Sequence, residues 1–593
     1  MRVVDNIIQN LLKAFEALYS QQLPIEQFQI QKTKKEFDGD LTLVVFPLLK
    51  VTKKSPEQSA EEIGKWLLGN SDIANSYNVV KGFLNLSIKD EIWLGQFNVW
   101  ARDENFGKSN SSTGKTFMVE YSSPNTNKPL HLGHLRNNFL GYSVAEILKA
   151  NGHEVYKTQI INDRGIHICK SMLAWQLFGN NETPESTGMK GDHLIGKYYV
   201  AFDKEYKKQI ADLVEGGMEL KDAEREAEIF KDAQAMLIKW EARDSEIYTL
   251  WETMNAWVYD GFETTYKKMG VDFDKLYYES NTYILGKDIV EKGIADNHFY
   301  KKEDGSVWCD LSDHKMDDKL LLRADGTSVY MTQDLGTAIE RYKDYSNLSG
   351  LIYTVGNEQN HHFKVLFTIL KKIGYSWAEG CYHLSYGMVD LPTGRMKSRE
   401  GTVVDADELM DSVIQEAKEM TQERGHLDGL SNSIKDELYK TIGLGGLKYY
   451  LLKVDPKKGM QFNPEESVDL NGNTGPFIQY TYARIQSILR KVETFSKVSE
   501  TDLLLEPAEK TLLKDLSEFP SVIEEAGKNY SPALLANYTY ELVKNYNSFY
   551  QSLSIIKEED ANKKAFRIAI SYKVGEVIKL SMKLLGVDVP ERM

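Results

Sequence analysis

Cysteine is scarce in this sequence. Only three cysteines occur among 593 residues, Cys169, Cys309 and Cys381, and no two of them form a CxxC pair. Such isolated cysteines argue against a disulfide framework and against a cysteine-ligated zinc site. The simplest interpretation is a protein of the reducing cytoplasm that carries no structural metal.

Long hydrophobic runs are missing as well. No stretch of about 18 uncharged apolar residues occurs, so the sequence predicts no membrane-spanning helix. The opening segment is amphipathic, contains acidic residues and lacks a small-residue cleavage site: MRVVDNIIQNLLKAFEALYS. This is not the pattern of a secretory signal.

An excess of positive charge is also absent, because the formal net charge is −15. Taken alone, an acidic composition argues weakly against a nucleic-acid partner. Phosphate contact needs only a local basic surface, however, so composition neither supports nor excludes RNA. The length of 593 residues suggests about three to five domains, with ample material for a sizeable core.

The order of helical and strand-like patterns predicts a multidomain α/β protein. Residues 1–110 indicate a small N-terminal α+β domain. A strand, a helix and a second strand follow within 115–161, and this βαβ unit indicates a Rossmann-like parallel sheet. We expect the sheet domain to span 115–455 with a helical insertion at about 180–320, and an α-helical bundle to occupy 456–593.

The sharpest local feature is HLGH, from His131 to His134, between a predicted strand and a predicted helix. Gly133 allows close approach of a ligand to the backbone, and a helix N-terminus attracts polyphosphate. Two imidazoles can add donors as charge builds on a reacting phosphate, while Lys128 and Arg136 add positive charge nearby. Two alternatives remain open: a partial HxxH metal site, and incidental surface histidines.

The residues around HLGH extend the pattern. The segment EYSSPNTNKPLHLGHLRN resembles the signature of class I aminoacyl-tRNA synthetases, in the form typical of the arginyl enzymes, without a gap from Val119 to Arg136. The resemblance implies that the domain at 115–455 is a class I catalytic domain. It also implies that the chain binds ATP at this loop.

A second segment, GRMKSREGTVV at 394–404, resembles the KMSKS loop of the same family but departs from it. Arg395 stands where the leading lysine is usual, and Ser398 stands where the second lysine is usual. The transition state, with a pentavalent α-phosphate and a leaving pyrophosphate, still needs positive charge. In arginyl enzymes with such loops, a lysine just before HxGH is thought to compensate, and Lys128 matches that position. The alternative is an exposed basic hairpin.

These comparisons give a set of expected reaction-site residues. We expect five residues to act in catalysis: His131, His134, Lys128, Lys397 and Arg399. The expected ATP contacts are Ser123, Pro124, Gly133, His131, His134, Met396 and Ser398. Mg²⁺ would accompany the phosphates of ATP.

Recognition of arginine requires fixed carboxylates, because its guanidinium is a planar fork of donors. By resemblance to arginyl-enzyme motifs, five residues would line the arginine site: Glu120, Asn125, Tyr330, Asp334 and Gln359. Asn125 would hold the α-amino or carboxyl end, and Glu120 or Asp334 would face the charged groups. Asp334 as a solvated helix residue and Tyr330 as a core residue are the plainer alternatives. A site of this kind rejects analogues strongly, so no editing domain is expected.

The two ends of the chain also resemble parts of arginyl enzymes. The segment 472–491, GNTGPFIQYTYARIQSILRK, resembles the start of their anticodon-binding domain, and the N-terminal domain resembles their additional tRNA-contacting domain. Arg484, Arg490 and Lys491 would meet phosphates, while Tyr480 would stack on a base, as Tyr482 could. The alternatives are tyrosines in the core and an arginine paired within the protein.

The combined interpretation is ATP-dependent ligation of L-arginine to tRNA(Arg) through an arginyl-adenylate, with release of pyrophosphate and AMP. The resemblance implies first attack by the 2′-hydroxyl and activation that needs bound tRNA. We expect a cytoplasmic monomer. Two rivals remain: a small-molecule nucleotidylyltransferase with the same HxGH chemistry, and a synthetase-like protein without catalysis.

Overall fold

The computed structural model describes residues 3–34, 36–392, 404–423, 429–492 and 503–593. None of the helices in these ranges combines the length and the apolar character that a membrane span requires. The described chain forms three structural parts, which follow one another in the predicted order: a small α+β unit, a parallel-sheet domain and a helical C-terminal region.

The N-terminal unit packs helices on one antiparallel sheet of order β1-β2-β4-β3. Its helices are α1 (Val3–Tyr19), α2 (Leu49–Thr52), α3 (Pro56–Asn70) and α4 (Asp90–Trp100). Its strands are β1 (Gln29–Lys32), β2 (Leu41–Val44), β3 (Ala74–Val80) and β4 (Phe83–Ile88). Helix α3 begins where the sequence signals it, because Ser55 and Gln58 form a reciprocal capping box with Pro56 at the first helical position.

The central sheet has five parallel strands in the order β12-β11-β5-β6-β7. Its strands are β5 (Thr116–Glu120), β6 (Glu154–Ile161), β7 (Lys275–Tyr278), β11 (Leu348–Gly356) and β12 (Cys381–Tyr386). Its flanking helices are α5 (Leu132–Ala150), α6 (Ile166–Phe178), α14 (Tyr330–Asp344) and α15 (Asn360–Lys372). The carboxyl ends of all five strands share one edge, which is where ligands bind in open parallel sheets.

The predicted helical insertion is too broad at 180–320. The helices between β6 and β7 are α7 (Pro184–Thr187), α8 (Gly191–Glu215), α9 (Leu220–Glu226), α10 (Glu228–Glu241) and α11 (Ser245–Met269). Next come β7, two short helices, α12 (Glu279–Thr282) and α13 (Lys287–Ala295), and an antiparallel sheet of β8 (Tyr300–Lys301), β9 (Val307–Cys309) and β10 (Lys319–Leu322). The helical interpretation fails there because these strands are only two to four residues long, too short for an alternating pattern to stand out.

The C-terminal region is mainly helical, as predicted. Two of its helices lie between the short strands β13 (Val389–Asp390) and β14 (Met460–Gln461), which pair in parallel, and the other helices follow β14. The helices are α16 (Ala406–Glu423), α17 (Asn432–Leu452), α18 (Pro464–Val468), α19 (Gly475–Leu489), α20 (Pro507–Lys528), α21 (Pro532–Ser552) and α22 (Ala561–Leu584).

The end of α22 and the turn after it make polar contacts with α5 and α17. The hydroxyl of Ser143 on α5 donates to the carbonyl of Leu584 over 2.8 Å. The ammonium of Lys448 on α17 donates to the carbonyl of Gly586 over 2.6 Å. Burial lowers the pKa of Lys448 to about 8. The Ser143 contact thus joins the end of α22 to α5, and the Lys448 contact joins the turn after α22 to α17.

Candidate functional site

The HLGH segment forms the N-terminus of α5, at the carboxyl end of β5. The N–H of Gly133 donates to Nδ1 of His131, and the N–H of His131 donates to Nδ1 of His134, both over 3.1 Å. A β-carbon on residue 133 would lie 3.0 Å from Cε1 of His131, so a larger residue here would have to displace the His131 ring. The two rings lie 4.0 Å apart between centroids. Each imidazole therefore caps the helix and is held in place by it.

Both histidines are neutral near pH 7. Burial, and then the charge of Lys128, lower the pKa of His131 to about 4. Burial likewise holds the pKa of His134 well below its usual value. Because Nδ1 of each ring accepts a hydrogen bond, each ring proton is assigned to Nε2. The site thus presents two neutral N–H donors beside a helix N-terminus, an arrangement suited to phosphate oxygens.

The turn that leads from β5 to HLGH is strained. Ser122 and Ser123 both lie in the left-handed region, with φ of 81° and 44°. Asn137 accepts a hydrogen bond from the N–H of Ser122 over 2.5 Å, and the hydroxyl of Ser122 contacts that of Tyr266 at 2.7 Å. The carbonyl of Pro124 accepts from the N–H of Asn162 over 2.9 Å. The structure thus places Ser123 and Pro124 on the same loop as His131.

The two cations near HLGH behave differently. Lys128 shares a cavity of about 590 Å³ with His131 and is close enough to lower its pKa. Arg136 is only 1% exposed, and its guanidinium donates to the carbonyls of Gly387, over 2.6 Å, and Lys458, over 2.9 Å. The expectation that Arg136 adds charge beside the phosphates is therefore wrong. Its two terminal nitrogens instead join α5 to the chain around β13 and β14.

A second cavity, of about 810 Å³, opens at the carboxyl edge of the sheet. Its polar lining includes residues that follow β5, β6 and β7 and residues at the start of α14: Asn125, Asn162, Arg164, Glu279, Tyr330 and Gln333. The structure thus brings together two of the predicted arginine-site residues, Asn125 and Tyr330. The side chain of Tyr330 is largely exposed at this cavity rather than part of the core.

The other predicted arginine-site residues lie outside the lining of this cavity. Glu120 is 4% exposed and forms an ion pair with Arg341 on α14. Asp334 is half-exposed and lies 2.6 Å from Nε2 of His362. Gln359 is exposed, directly before α15. Their roles toward arginine stay predictions.

Glu279 is a cavity residue that the sequence interpretation missed. Its pKa is raised to about 7, chiefly by burial and to a smaller extent by Asp163 and Asp334, against the opposing charge of Arg164. The nearby Arg164 pairs with Glu241 over 2.8 Å and stacks on Tyr283. The available signal was positional, since Glu279 follows the short apolar strand β7 as Asn125 follows β5. A raised carboxyl pKa in a cleft identifies a functional-site candidate.

Within the described ranges, one group has the spacing of metal ligands: His193, Asp405 and Asp407 have ligand atoms within 4.8 Å of one another. The ammonium of Lys190 is already bonded to the carboxylate of Asp407. Lys268 also approaches Asp407, at 3.9 Å. Because protein cations compensate these carboxylates, we interpret the group as an ion-pair network.

The second signature segment cannot be placed. Four predicted residues lie outside the described residues: Met396, Lys397, Ser398 and Arg399. The chain is described again from Val404, whose carbonyl accepts the N–H of Leu132 over 3.2 Å. The segment that follows the second signature therefore pairs with the HLGH loop.

The predicted tRNA-binding residues lie on and just after α19. Arg484 donates to the side chain of Asn547, and its guanidinium lies 5.0 Å from the ring of Tyr480 and 4.9 Å from that of Tyr550. Arg490 donates to the carbonyl of Glu591 over 3.1 Å. Lys491 is exposed, whereas Tyr482 is buried, so only Tyr480 of the two tyrosines offers an accessible face.

Comparison with known families agrees with this architecture. Residues 98–463 match the model described as tRNA synthetases class I (R), catalytic domain. Residues 478–593 match the DALR anticodon binding domain, and residues 4–88 match the arginyl tRNA synthetase N terminal domain. A parallel sheet with an HxGH helix terminus, in a match of this length, defines a class I aminoacyl-tRNA synthetase.

Similar proteins narrow the class. A Flavobacterium psychrophilum protein named arginine–tRNA ligase is 58% identical over 582 residues, which cover 96% of this chain and 97% of that protein. A Bacteroides thetaiotaomicron protein of the same name is 55% identical over 598 residues, covering 100% of both. The chain belongs to the arginyl-tRNA synthetase family.

Solved structures share the fold. The arginyl-tRNA synthetase of Thermus thermophilus superposes with a TM-score of 0.80 at 23% identity, covering 99% of this chain and 100% of that one. The enzyme from Plasmodium falciparum gives a TM-score of 0.77 at 18% identity, covering 100% of this chain and 99% of that one. At these identities the likeness establishes the fold alone.

Proposed function

We propose that this chain ligates L-arginine to tRNA(Arg) at the expense of ATP. The arginine carboxylate attacks the α-phosphate of ATP, which forms arginyl-adenylate and releases pyrophosphate. A terminal ribose hydroxyl of the tRNA then attacks the activated carbonyl and releases AMP. One observation carries the proposal: a helix terminus with two neutral imidazole donors shares a sheet edge with a carboxylate-bearing cavity.

The helix terminus is suited to the nucleotide. The Nε2–H groups of His131 and His134 can donate to phosphate oxygens beside the positive end of the α5 dipole. Because both rings are neutral, these donors do not depend on protonation of the imidazoles. Lys128 supplies a cation beside His131. We assign Ser123, Pro124 and Gly133 to the nucleotide side of this loop. Mg²⁺ would arrive with ATP as part of the substrate.

The larger cavity is suited to arginine. Asn125 lines the cavity, where it can hold the α-amino or carboxyl end. Glu279 offers a carboxylate to the guanidinium, and a cation placed there would favour its ionised form. Glu120 contributes either directly, after separating from Arg341, or by holding α14, which carries Tyr330 and Asp334.

The face around Tyr480 and Arg484 is suited to single-stranded RNA. Arg484 already lies between two tyrosine rings, so an unstacked base could extend an existing stack. Arg490 and Lys491 would meet nearby phosphates. We further propose that the enzyme acts as a cytoplasmic monomer.

The test is ATP–pyrophosphate exchange with arginine, with and without tRNA, on the wild type and on Lys128→Ala. We expect exchange that depends on arginine and falls about 10- to 100-fold in Lys128→Ala, because a cation near the reacting phosphates is lost. Lys149→Ala is the matched control, since Lys149 is an exposed lysine on the last turn of α5. It should keep wild-type exchange.

The rivals predict other results. Exchange supported by a different amino acid would correct the substrate. A nucleotidylyltransferase would show pyrophosphate exchange driven by a non-amino-acid acceptor. Absence of exchange under every condition would reject the proposed activity in favour of a non-catalytic protein.

A further inference from the structure

The backbone around His131 is held by residues that follow it by more than 270 positions. The N–H of Ala406 donates to the carbonyl of Leu130 over 2.9 Å, and the N–H of Leu132 donates to the carbonyl of Val404. His131 itself lies opposite Asp405 in an antiparallel bridge. The segment 404–406 therefore fixes the main chain on both sides of His131.

The side chains of the same segment reach the helical insertion. Asp405 lies 3.1 Å from Nε2 of His193 on α8. Asp407 is ion-paired with Lys190, directly before α8, and accepts a hydrogen bond over 3.0 Å from Thr265 on α11. One short segment thus connects the HLGH loop with two helices of the insertion.

The connection is shielded from solvent. The side chains of Asp405 and Asp407 are only 13% and 17% exposed. The contact with Asp405 raises the pKa of His193, while the pKa of Asp405 is lowered although burial alone would raise it. Opposite shifts in the two partners indicate attraction between charges, and shielded pairs are screened less by salt than exposed ones.

We propose that Asp405 and Asp407 are positioning residues, which tie the His131 loop to helices α8 and α11. The inference rests on the proposed function. Neither residue needs to touch the substrates. Their role is to set the Leu130–Leu132 backbone, and with it the direction of the His131 donor. Misplacement of a catalytic group by about 1 Å can cost about 100-fold in rate.

Near-isosteric variants can separate positioning from folding. Asp405→Asn keeps an acceptor for the N–H groups of Asp407 and Glu408, which Oδ1 of Asp405 now caps over 2.8 and 3.1 Å. Asp407→Asn likewise keeps an acceptor for Thr265. Both variants lose the charge that attracts His193 or Lys190. We expect each to lower kcat of arginine-dependent exchange about tenfold. The KM values for ATP and arginine, and the Tm, should stay close to those of the wild type.

A mutant cycle tests whether the contact itself is responsible. His193→Gln should lower kcat by a similar factor, and adding it to Asp405→Asn should give less than the product of the two losses. The matched control is Asp203→Asn, which breaks the exposed pair of Asp203 with Lys207 on α8 without reaching the HLGH loop. It should exchange at the wild-type rate.

The possible outcomes are distinct. An inactive wild type would reject the proposed function. An active wild type with kcat unchanged in Asp405→Asn and Asp407→Asn would overturn the positioning role alone. Losses confined to variants with a lower Tm, or losses that multiply fully in the double mutant, would also overturn it. A kcat loss at constant KM and Tm, with coupling between His193 and Asp405, would support it.

Discussion

The two halves of the candidate site differ in how far they are prepared before a ligand arrives. At the helix terminus, His131 and His134 are buried and neutral, and backbone N–H groups fix both rings. At the cavity, Tyr330 is exposed and Glu279 titrates near neutral pH. The helix terminus, which we propose holds the nucleotide, is therefore preorganised, whereas the cavity, which we propose binds arginine, would acquire its final charge state on binding.

This difference suggests where each half obtains its selectivity. Preorganised donors stabilise developing charge without reorganisation, which favours the transition state. An approaching cation lowers the raised pKa of a carboxyl group and so favours its ionised form. Binding of a guanidinium is therefore favoured over binding of a neutral side chain. Substitutions at the helix terminus should lower kcat, and substitutions at the cavity should raise KM for arginine.

The strongest expected effect comes from His134→Asn. The shorter amide can still accept the N–H of His131 in place of Nδ1, but it lacks the Nε2–H donor. We expect kcat of arginine activation to fall about 10²- to 10³-fold, with a small change in Tm, as measured by pyrophosphate exchange and thermal unfolding. His153→Asn, at a half-buried histidine bonded to Thr113, is the control. A change in KM for ATP or arginine with an unchanged kcat would contradict the proposed preorganisation.

The second effect concerns pH. Glu279, with a pKa of about 7, is largely protonated at pH 6 and largely ionised at pH 8. A bound guanidinium favours the ionised form, so KM for arginine should decrease as pH rises from about 6 to 8. Glu279→Gln should raise KM about tenfold and remove this pH dependence.

Glu291→Gln, at an exposed residue of α13, controls for the loss of an acidic charge nearby. It should keep the wild-type profile of KM against pH. If KM for arginine of Glu279→Gln still changed with pH as in the wild type, the pH dependence of arginine binding would come from another group.

The smallest expected effect is on tRNA binding, with the helix terminus and the cavity unchanged. Arg484→Lys keeps the charge but loses the planar face between Tyr480 and Tyr550. We expect KM for tRNA to rise about threefold, the scale of one exposed cation–π contact, with KM for ATP and arginine unaffected. Aminoacylation kinetics at varied tRNA concentration measure it. A change in arginine KM would mean that the helical face and the cavity are not independent.

The predictability of the site from sequence follows the same division. The HLGH loop could be predicted because its chemistry is local: strand, glycine and histidines lie within one uninterrupted segment. Glu279 could not, because its role depends on β7, a strand of four residues that joins the sheet far along the chain. Sheet order is set by tertiary packing, and a short apolar run carries little of that information.

Arg136 and Glu120 illustrate a second limit. Both lie within the signature segment, and both were expected to face ligands. The structure directs Arg136 to main-chain carbonyls and pairs Glu120 with Arg341, more than 200 residues away. The fold class and the order of domains needed only periodicity, whereas the direction of a buried charge depends on partners from distant segments.

The hydrogen bond from the Lys448 ammonium to the carbonyl of Gly586 limits where the chain can be truncated. Deleting the chain from Gly586 onward would leave the buried amine of Lys448 on α17 without this acceptor, a change that typically costs several kcal/mol. An isolated catalytic fragment should therefore be insoluble or poorly folded even though the deleted residues are remote from the reaction. A chimaera in which the C-terminal helices are exchanged would need to retain the peptide at Gly586. Otherwise Lys448 would first have to be replaced by an apolar residue.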